Sequence, residues 1–438
     1  MSLRLLPLTL ALSAAFASAA QAQSLTQLFE AAKAYDAGFK SAQAQYQANL
    51  SRAEQSRAAL RPTAALSSSM SESDVDNQTS PRASGQSAPR VVSISANYPL
   101  YRPANQANAA KAEPLMALAA EQLRLAEQDL MVRTAQAYVD VLNAQEALTF
   151  VQAQKTAVSE QLAAAKRNFE VGTATITDTR EAQARFDLVL AQEIAADNDL
   201  RVKRLALDQL TGVQNAKPLP LAPEATVQIA GANSVDTWVQ QGLQSHPSIR
   251  LSQHNLALAR LDQQAASAAL RPTVDASASY AMTRYGNRLP STNFSTNVAT
   301  VGVSLNLPLY TGGATENRIQ ETLALLDKAT QDQEAAQRTV SQATRTAFFG
   351  VQSGLGQIKA LEAAERSSQS ALDANKLGYQ VGVRINIDVL NSQSQLFQTK
   401  RDLAKARYDV LVGQLRLRQA AGVLQLTDLQ ALDGLLKR

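Results

Sequence analysis

Apolar residues recur along this chain at two spacings, and the two alternate in a fixed order. From Gln23 to Leu60 they fall three or four apart, which predicts a helix interrupted near Asp36-Ala37-Gly38. Leu60-Arg61-Pro62-Thr63 ends it, because proline disfavours helical backbone at the residue before it. Thr63–Met70 alternates weakly, with Ala64, Leu66 and Met70 on one side, and predicts a strand over about 63–72. Ser71–Arg90 is polar, rich in Ser, Pro and Asp, and reads as a loop. Val92, Ile94, Ala96, Tyr98 and Leu100 then face one way and Ser93, Ser95 and Asn97 the other, a second strand over about 90–100. From Ala104 to Asn168 the helical period runs almost unbroken, and 65 residues at about 1.5 Å each make a rod of roughly 100 Å. Pro114 should kink its beginning. A shorter helix, Thr175–Leu210, stops at Thr211-Gly212, and Asn215–Ala232, with Pro218, Pro220 and Pro223, reads as a linker.

The same programme then restarts. Trp238–Leu270 is helical with a break at Ser245-His246-Pro247, and Leu270-Arg271-Pro272-Thr273 repeats Leu60-Arg61-Pro62-Thr63 210 residues on. Strands are predicted over about 273–285 and 297–307, separated by a loop at Gly286–Ser295. Val274, Ala276, Ala278, Tyr280 and Met282 share one face of the first, and Ala299, Val301, Val303, Leu305 and Leu307 one face of the second. A long helix from about Thr315 to Leu377 and a shorter one, Arg384–Ala420, complete the copy. The chain therefore reads as a first repeat at 23–213, a linker at 214–234, a second repeat at 235–423 and a tail at 424–438. A period this long marks a duplicated helix-strand-strand-long helix-helix unit rather than a solenoid. The shorter helices have about 36 residues, so two end to end match one long helix in length.

One stretch in each copy stands between the long helix and the short one. Phe169-Glu170-Val171-Gly172 precedes Asp178, and Tyr379-Gln380-Val381-Gly382 precedes Asp388, again 210 residues apart. Gly172 and Gly382 supply the left-handed residue that ends a helix at low steric cost. Asp178 and Asp388 fall where the next helix begins, a place that favours a carboxylate.

Strands of about ten residues are long enough to cross a bilayer when tilted, and apolar-out, polar-in alternation suits a water-filled barrel. A small soluble sheet covered by helices is the competing reading. Four strands cannot close a barrel, and open edges are not tolerated in lipid, so chains would have to pool strands. Two chains would supply 8 and three would supply 12, and the strand pattern does not choose between them. A secreted or periplasmic coiled-coil scaffold would explain the helices but not the four alternating segments.

Composition narrows the choice. The chain has no Cys, which excludes disulfides, thiolate metal sites and Cys nucleophiles. Its two histidines, His246 and His254, are not at ligand spacing on one helix, and no nucleophile elbow, phosphate loop or metal cluster appears. Neither an enzyme nor a cofactor or metal is expected. A net charge of +4 without a basic cluster does not suggest nucleic acid. Residues 1–22 read as a secretory signal peptide, with an apolar run from Leu5 to Ala20 and an Ala20-Gln21-Ala22 cleavage site.

Taken together, Leu60-Arg61-Pro62, Tyr98-Pro99-Leu100-Tyr101, Leu307-Pro308-Leu309-Tyr310-Thr311-Gly312-Gly313 and the two Val-Gly turns resemble the TolC family of outer-membrane channel-tunnels over essentially the whole mature chain. The resemblance implies a mainly α protein with a membrane β-barrel: a homotrimer whose 12-stranded barrel, in the outer membrane of a Gram-negative bacterium, continues into a long periplasmic α-helical barrel. It implies passive export of proteins, as in type I secretion, or of small molecules, with a periplasmic adaptor and an inner-membrane ABC or proton-driven pump as partners. It also implies a periplasmic mouth that closes like an iris. Carried over, Thr177 and Asp178 of the first turn and Tyr379 and Arg384 of the second are the gate residues, with Gly172 and Gly382 at the periplasmic tip. Asp388 matches an aspartate that faces the entrance lumen and favours cations, whereas Asn391 stands where the family often has a second one.

Overall fold

The computed structural model describes residues 23–75, 85–222, 234–286 and 294–436. The expected signal sequence, and parts of the two expected loops and of the linker, lie outside the described residues. In chain order the elements are α1 (Leu25–Tyr35), α2 (Ala37–Ala58), β1 (Thr63–Met70), β2 (Ser73–Val75), β3 (Gly85–Tyr101), α3 (Pro103–Ala110), α4 (Ala112–Glu170) and α5 (Ile176–Thr211). They continue with α6 (Val235–Ser245), α7 (Pro247–Ala268), β4 (Thr273–Gly286), β5 (Phe294–Asn306), α8 (Ala314–Gln380), α9 (Asn386–Ala420) and α10 (Leu426–Asp433). The duplicated order is thus present in the fold. The chain divides into two compact units, one of Met1–Ala44, Leu123–Ile249 and Gln337–Arg438, the other of Gln45–Gln122 and Arg250–Ala336.

The second unit holds the sheet. Its strands run in the order β1-β3-β4-β5, every neighbouring pair antiparallel, with β2 on the far end of β3. Directly opposed residues of an antiparallel pair point to the same side. Leu66, Ile94, Tyr280 and Ala299 stand opposite one another in succession, as do Ala64, Ala96, Ala278 and Val301. The alternation read from each strand therefore merges into one apolar face across all four. Ala65, Ser95, Ser279 and Thr300 make the corresponding row on the other, more polar face. Among the described residues nothing covers the apolar face: Leu66 is 75% exposed, Val301 85% and Leu305 70%. On the polar side Arg102, which precedes α3, forks onto Asp275 at 2.6 and 2.7 Å and ties the end of β3 to the start of β4.

Two expectations are corrected in this unit. Ser71–Arg90 is not all loop, because Ser73–Val75 pairs with Gly85–Ser87 and Ala88–Arg90 extends the ladder to Arg284–Gly286. Main-chain bonds carry this extension, and main-chain pairing leaves no alternation in the side chains. The helix break falls at Lys111 rather than at Pro114. A proline ring clashes with the carbonyl four residues earlier, here that of Ala110, while its missing N–H costs nothing in a first turn.

The first unit is helical. Leu130, Tyr138 and Leu142 of α4, Leu200 and Leu207 of α5, and Tyr408, Leu411 and Leu415 of α9 bury one core together with Leu28 and Phe29 of α1. Inside it, the Tyr138 hydroxyl accepts from the Leu219 N–H at 2.7 Å and lies 3.1 Å from the Leu219 carbonyl, pinning the segment after α5. Tyr408 donates to Glu146 at 2.7 Å, a bond that lowers the carboxyl's pKa, but burial outweighs it and holds the group above the usual carboxylate range. The stretch expected as a tail carries α10, whose Asp433 accepts from the N–H groups of Leu25 at 2.7 Å and Thr26 at 3.0 Å and so caps α1. A second core joins Trp238 of α6, Phe348 and Val351 of α8, and Val410 and Leu417 of α9. His246 serves as the cap of α6, and its Nδ1 accepts from the Ser248 N–H at 3.1 Å.

Candidate functional site

The two turns fold alike, bond for bond. In the first, the N–H groups of Thr173 and Ala174 both reach the Asn168 carbonyl, at 2.8 and 3.2 Å. In the second, those of Val383 and Arg384 both reach the Gly378 carbonyl, at 2.9 and 3.1 Å. Gly172 and Gly382 sit at φ 77° and 80°, the left-handed conformation expected of them. Apolar side chains around them, Val171 and Ile176 in one copy and Val381, Val383 and Ile385 in the other, are exposed.

After the glycines the copies part. Thr175 caps α5 and forms a reciprocal box with Asp178: the carboxylate accepts from the Thr175 N–H at 2.9 Å and its hydroxyl at 2.8 Å, and the Asp178 N–H returns a bond to that hydroxyl at 3.2 Å. Ile385, at the same place before α9, has no side chain able to cap. There Asp388 instead has the Arg384 guanidinium at 3.6 Å. An exposed pair one helical turn apart is worth about 0.3–0.5 kcal/mol, so it leaves Arg384 free to exchange partners.

Within one chain the four expected gate residues are therefore only partly brought together. Tyr379 does meet the first turn, accepting from the Asn168 amide at 3.2 Å. Asp178 is engaged by Thr175, Arg384 by Asp388, and Thr177 is exposed. The bonds that do cross between the two hairpins come mostly from other side chains. Asn386, in the first turn of α9, accepts from the Gln161 amide of α4 and lies 3.5 Å from the Asp178 carbonyl. One turn on, Arg185 of α5 donates to Asn391 at 2.6 Å. Below them Leu390 packs into the apolar seam of Val158, Leu162, Ala165 and Ala182. Sequence reading passed over Gln161, Asn168, Arg185 and Asn386. The signal for the last was available: Asn386 stands 210 residues after Ile176, a polar residue in the place of an apolar one.

The chain thus combines an antiparallel sheet that has one apolar face with a pair of duplicated helical hairpins. Among the described residues no helix is long and apolar enough to cross a membrane. The outer membrane efflux protein family matches the chain twice, over residues 28–213 and 238–423. The chain is 32% identical to outer membrane protein TolC of Vibrio cholerae over 439 aligned positions, covering 99% of both chains. It is 31% identical to the alkaline protease secretion protein AprF of Pseudomonas aeruginosa, covering 72% of this chain and 65% of that one. The solved outer membrane protein VceC of Vibrio cholerae shares the fold, with a TM-score of 0.77 over 91% of this chain and 96% of that one at 19% identity. The chain belongs to the outer membrane efflux protein family, and it resides in the outer membrane.

Proposed function

We propose that this chain is the outer-membrane exit duct of a tripartite export system and works as a homotrimer. The observation that carries this reading is the sheet: β1 and β5 are open edges beside an uncovered apolar face. Because the four strands alternate in direction, β5 of one copy meets β1 of the next antiparallel, and a ring of copies closes with no edge left in lipid. Three copies give a 12-stranded barrel with the polar face toward water. The cargo passes down its gradient or is pushed from behind, delivered by a periplasmic adaptor and an inner-membrane ABC or proton-driven pump. Relatives are named both for protease secretion and for efflux, so secreted proteins and small molecules are both cargo classes to test.

The paired turns form the periplasmic mouth. Tyr379 secures its own chain through Asn168, and Arg384 exchanges Asp388 for the Thr177–Asp178 corner of a neighbouring copy, which closes the ring. Three Asp388 carboxylates face the entrance and draw cations, since like charges in a confined mouth focus the field. Asp388→Ala should weaken cation selectivity and block by multivalent cations in single-channel recordings. Unchanged selectivity and block would remove Asp388 from the pore lining.

A further inference from the structure

The apolar face of the sheet ends, away from the helices, in two arginines. Met282 follows Tyr280 on the apolar side of β4, and Arg284 follows Met282. Arg284 stands directly opposite Arg90 of β3, in a row completed by Met70 of β1 and Ser295 of β5. The register runs unshifted from this row to that of Ile94 and Tyr280, so both guanidinium groups leave the sheet on its apolar side. Both arginines are exposed, and neither has an ion-pair partner among the described residues, although Glu72 and Asp74 stand on the stretch of chain after β1. Like charges directly opposite one another destabilise a strand pair. The duplication does not account for them: Asp74 stands 210 residues before Arg284, and Ala299 stands 209 residues after Arg90.

Their height in the sheet matters. From Val274, the first apolar residue of β4, to Arg284 is about 34 Å along the strand, or about 26 Å of height at a tilt near 40°. The apolar band of a membrane barrel is about 25 Å tall, and an arginine facing outward costs little at its edge. Arg90 and Arg284 thus stand where the acyl chains end and the headgroups begin.

We propose that Arg90 and Arg284 form a phosphate site on the outer rim of the barrel that holds a phosphorylated glycolipid headgroup of the outer leaflet. The proposal rests on the exit-duct reading, which sends the helices into the periplasm and this end of the sheet to the cell surface. A phosphate between the two guanidinium groups replaces their repulsion with charge-assisted bonds, and each planar fork matches two of its oxygens. The apolar stems of the arginines lie along the band while their heads reach the headgroups, and the acyl chains cover Val92 and Met282 below. Each chain has one β3–β4 seam, so a ring of three carries three sites.

The test uses the full-length protein in dodecyl maltoside and bisphosphorylated lipid A as the probe. Native mass spectrometry counts binding, and heat-modifiable migration reports thermal resistance. Wild type should take up to three lipid A molecules per trimer and melt at a higher temperature with them. Arg90→Gln with Arg284→Gln should bind at least about tenfold more weakly, since bonds to a charged partner are lost at both positions. Without lipid A it should melt no lower than wild type, because it has lost only a repulsion. Arg61→Gln with Arg271→Gln removes the same charge from the helix-joined end of the sheet and should bind like wild type. Lipid A stripped of both phosphates, and phosphatidylglycerol, should each bind wild type at least about tenfold more weakly than bisphosphorylated lipid A does. Equal binding by wild type and the Arg90, Arg284 variant, an equal loss in the Arg61, Arg271 variant, or undiminished binding of either other lipid would overturn the site. A wild-type protein that inserts into planar bilayers yet forms no pore would overturn the exit-duct reading instead.

Discussion

The double variant Tyr379→Phe with Arg384→Ser is expected to open the periplasmic mouth while leaving the assembly intact. Tyr379→Phe removes the acceptor for the Asn168 amide, and Arg384→Ser removes the one guanidinium at the second turn. Each link near a wet surface is worth about 1 kcal/mol, and three copies each lose two, about 6 kcal/mol in all, so the closed-to-open ratio should fall by a factor on the order of 10,000. Single-channel conductance should rise several-fold as the closed state empties. Cells carrying the variant should become sensitive to antibiotics too large for the closed duct. Neither side chain belongs to the two main apolar clusters of the first unit, and Tyr379→Phe keeps the ring that packs against Leu372, Val389 and Leu396. Wild-type conductance in a correctly assembled double variant would mean that these two residues are not the lock.

Arginine on the apolar face of β5 should abolish assembly in the membrane, while arginine one residue away should be tolerated. Val301 and Val303 lie in the same rows as Ala278 and Ala276 and are 85% and 68% exposed, with none of the described residues over them. An arginine facing lipid costs about 2–4 kcal/mol near the bilayer midplane. The double change Val301→Arg with Val303→Arg repeats that cost in every copy. Thr300 and Ser304 belong to the opposite face, in the rows of Ser279 and Asp275. The double change Thr300→Arg with Ser304→Arg therefore adds the same charge to the water side. Heat-modifiable migration of envelope extracts should be lost in the valine variant and kept in the other. Equal loss in both would contradict the assignment of faces.

What the sequence makes legible here follows the physics of each element. Tyr98, Tyr280 and Val301 could be placed on one face because a sheet with one apolar side prints its period on every strand. The turns could be paired because Gly172 and Gly382 answer a local backbone requirement. Gly85–Arg90 left no such print, since its strand is held by main-chain bonds to Arg284–Gly286 and to β2. Helix α10 was hidden in an apparent tail because its anchor, Asp433, bonds Leu25 and Thr26, 408 and 407 residues away. The contacts between the two hairpins were equally hidden. Asn386 looks like an ordinary residue at a helix start, and only the arrival of Gln161 from α4 and Asp178 from α5 gives its amide a purpose. Arg185 and Asn391, too, are unremarked polar positions until α5 and α9 lie side by side.

The edges of the sheet decide the rest. On the exit-duct reading proposed above, β1 and β5, unpaired among the described residues, find both partners in other copies of the chain. The mass of the intact complex, released from a mild detergent in the gas phase and paired with the pore count from the same preparation, tests this most directly. Three copies sharing one conducting pore is the predicted result; a stable monomer or dimer, or one pore per chain, would contradict it.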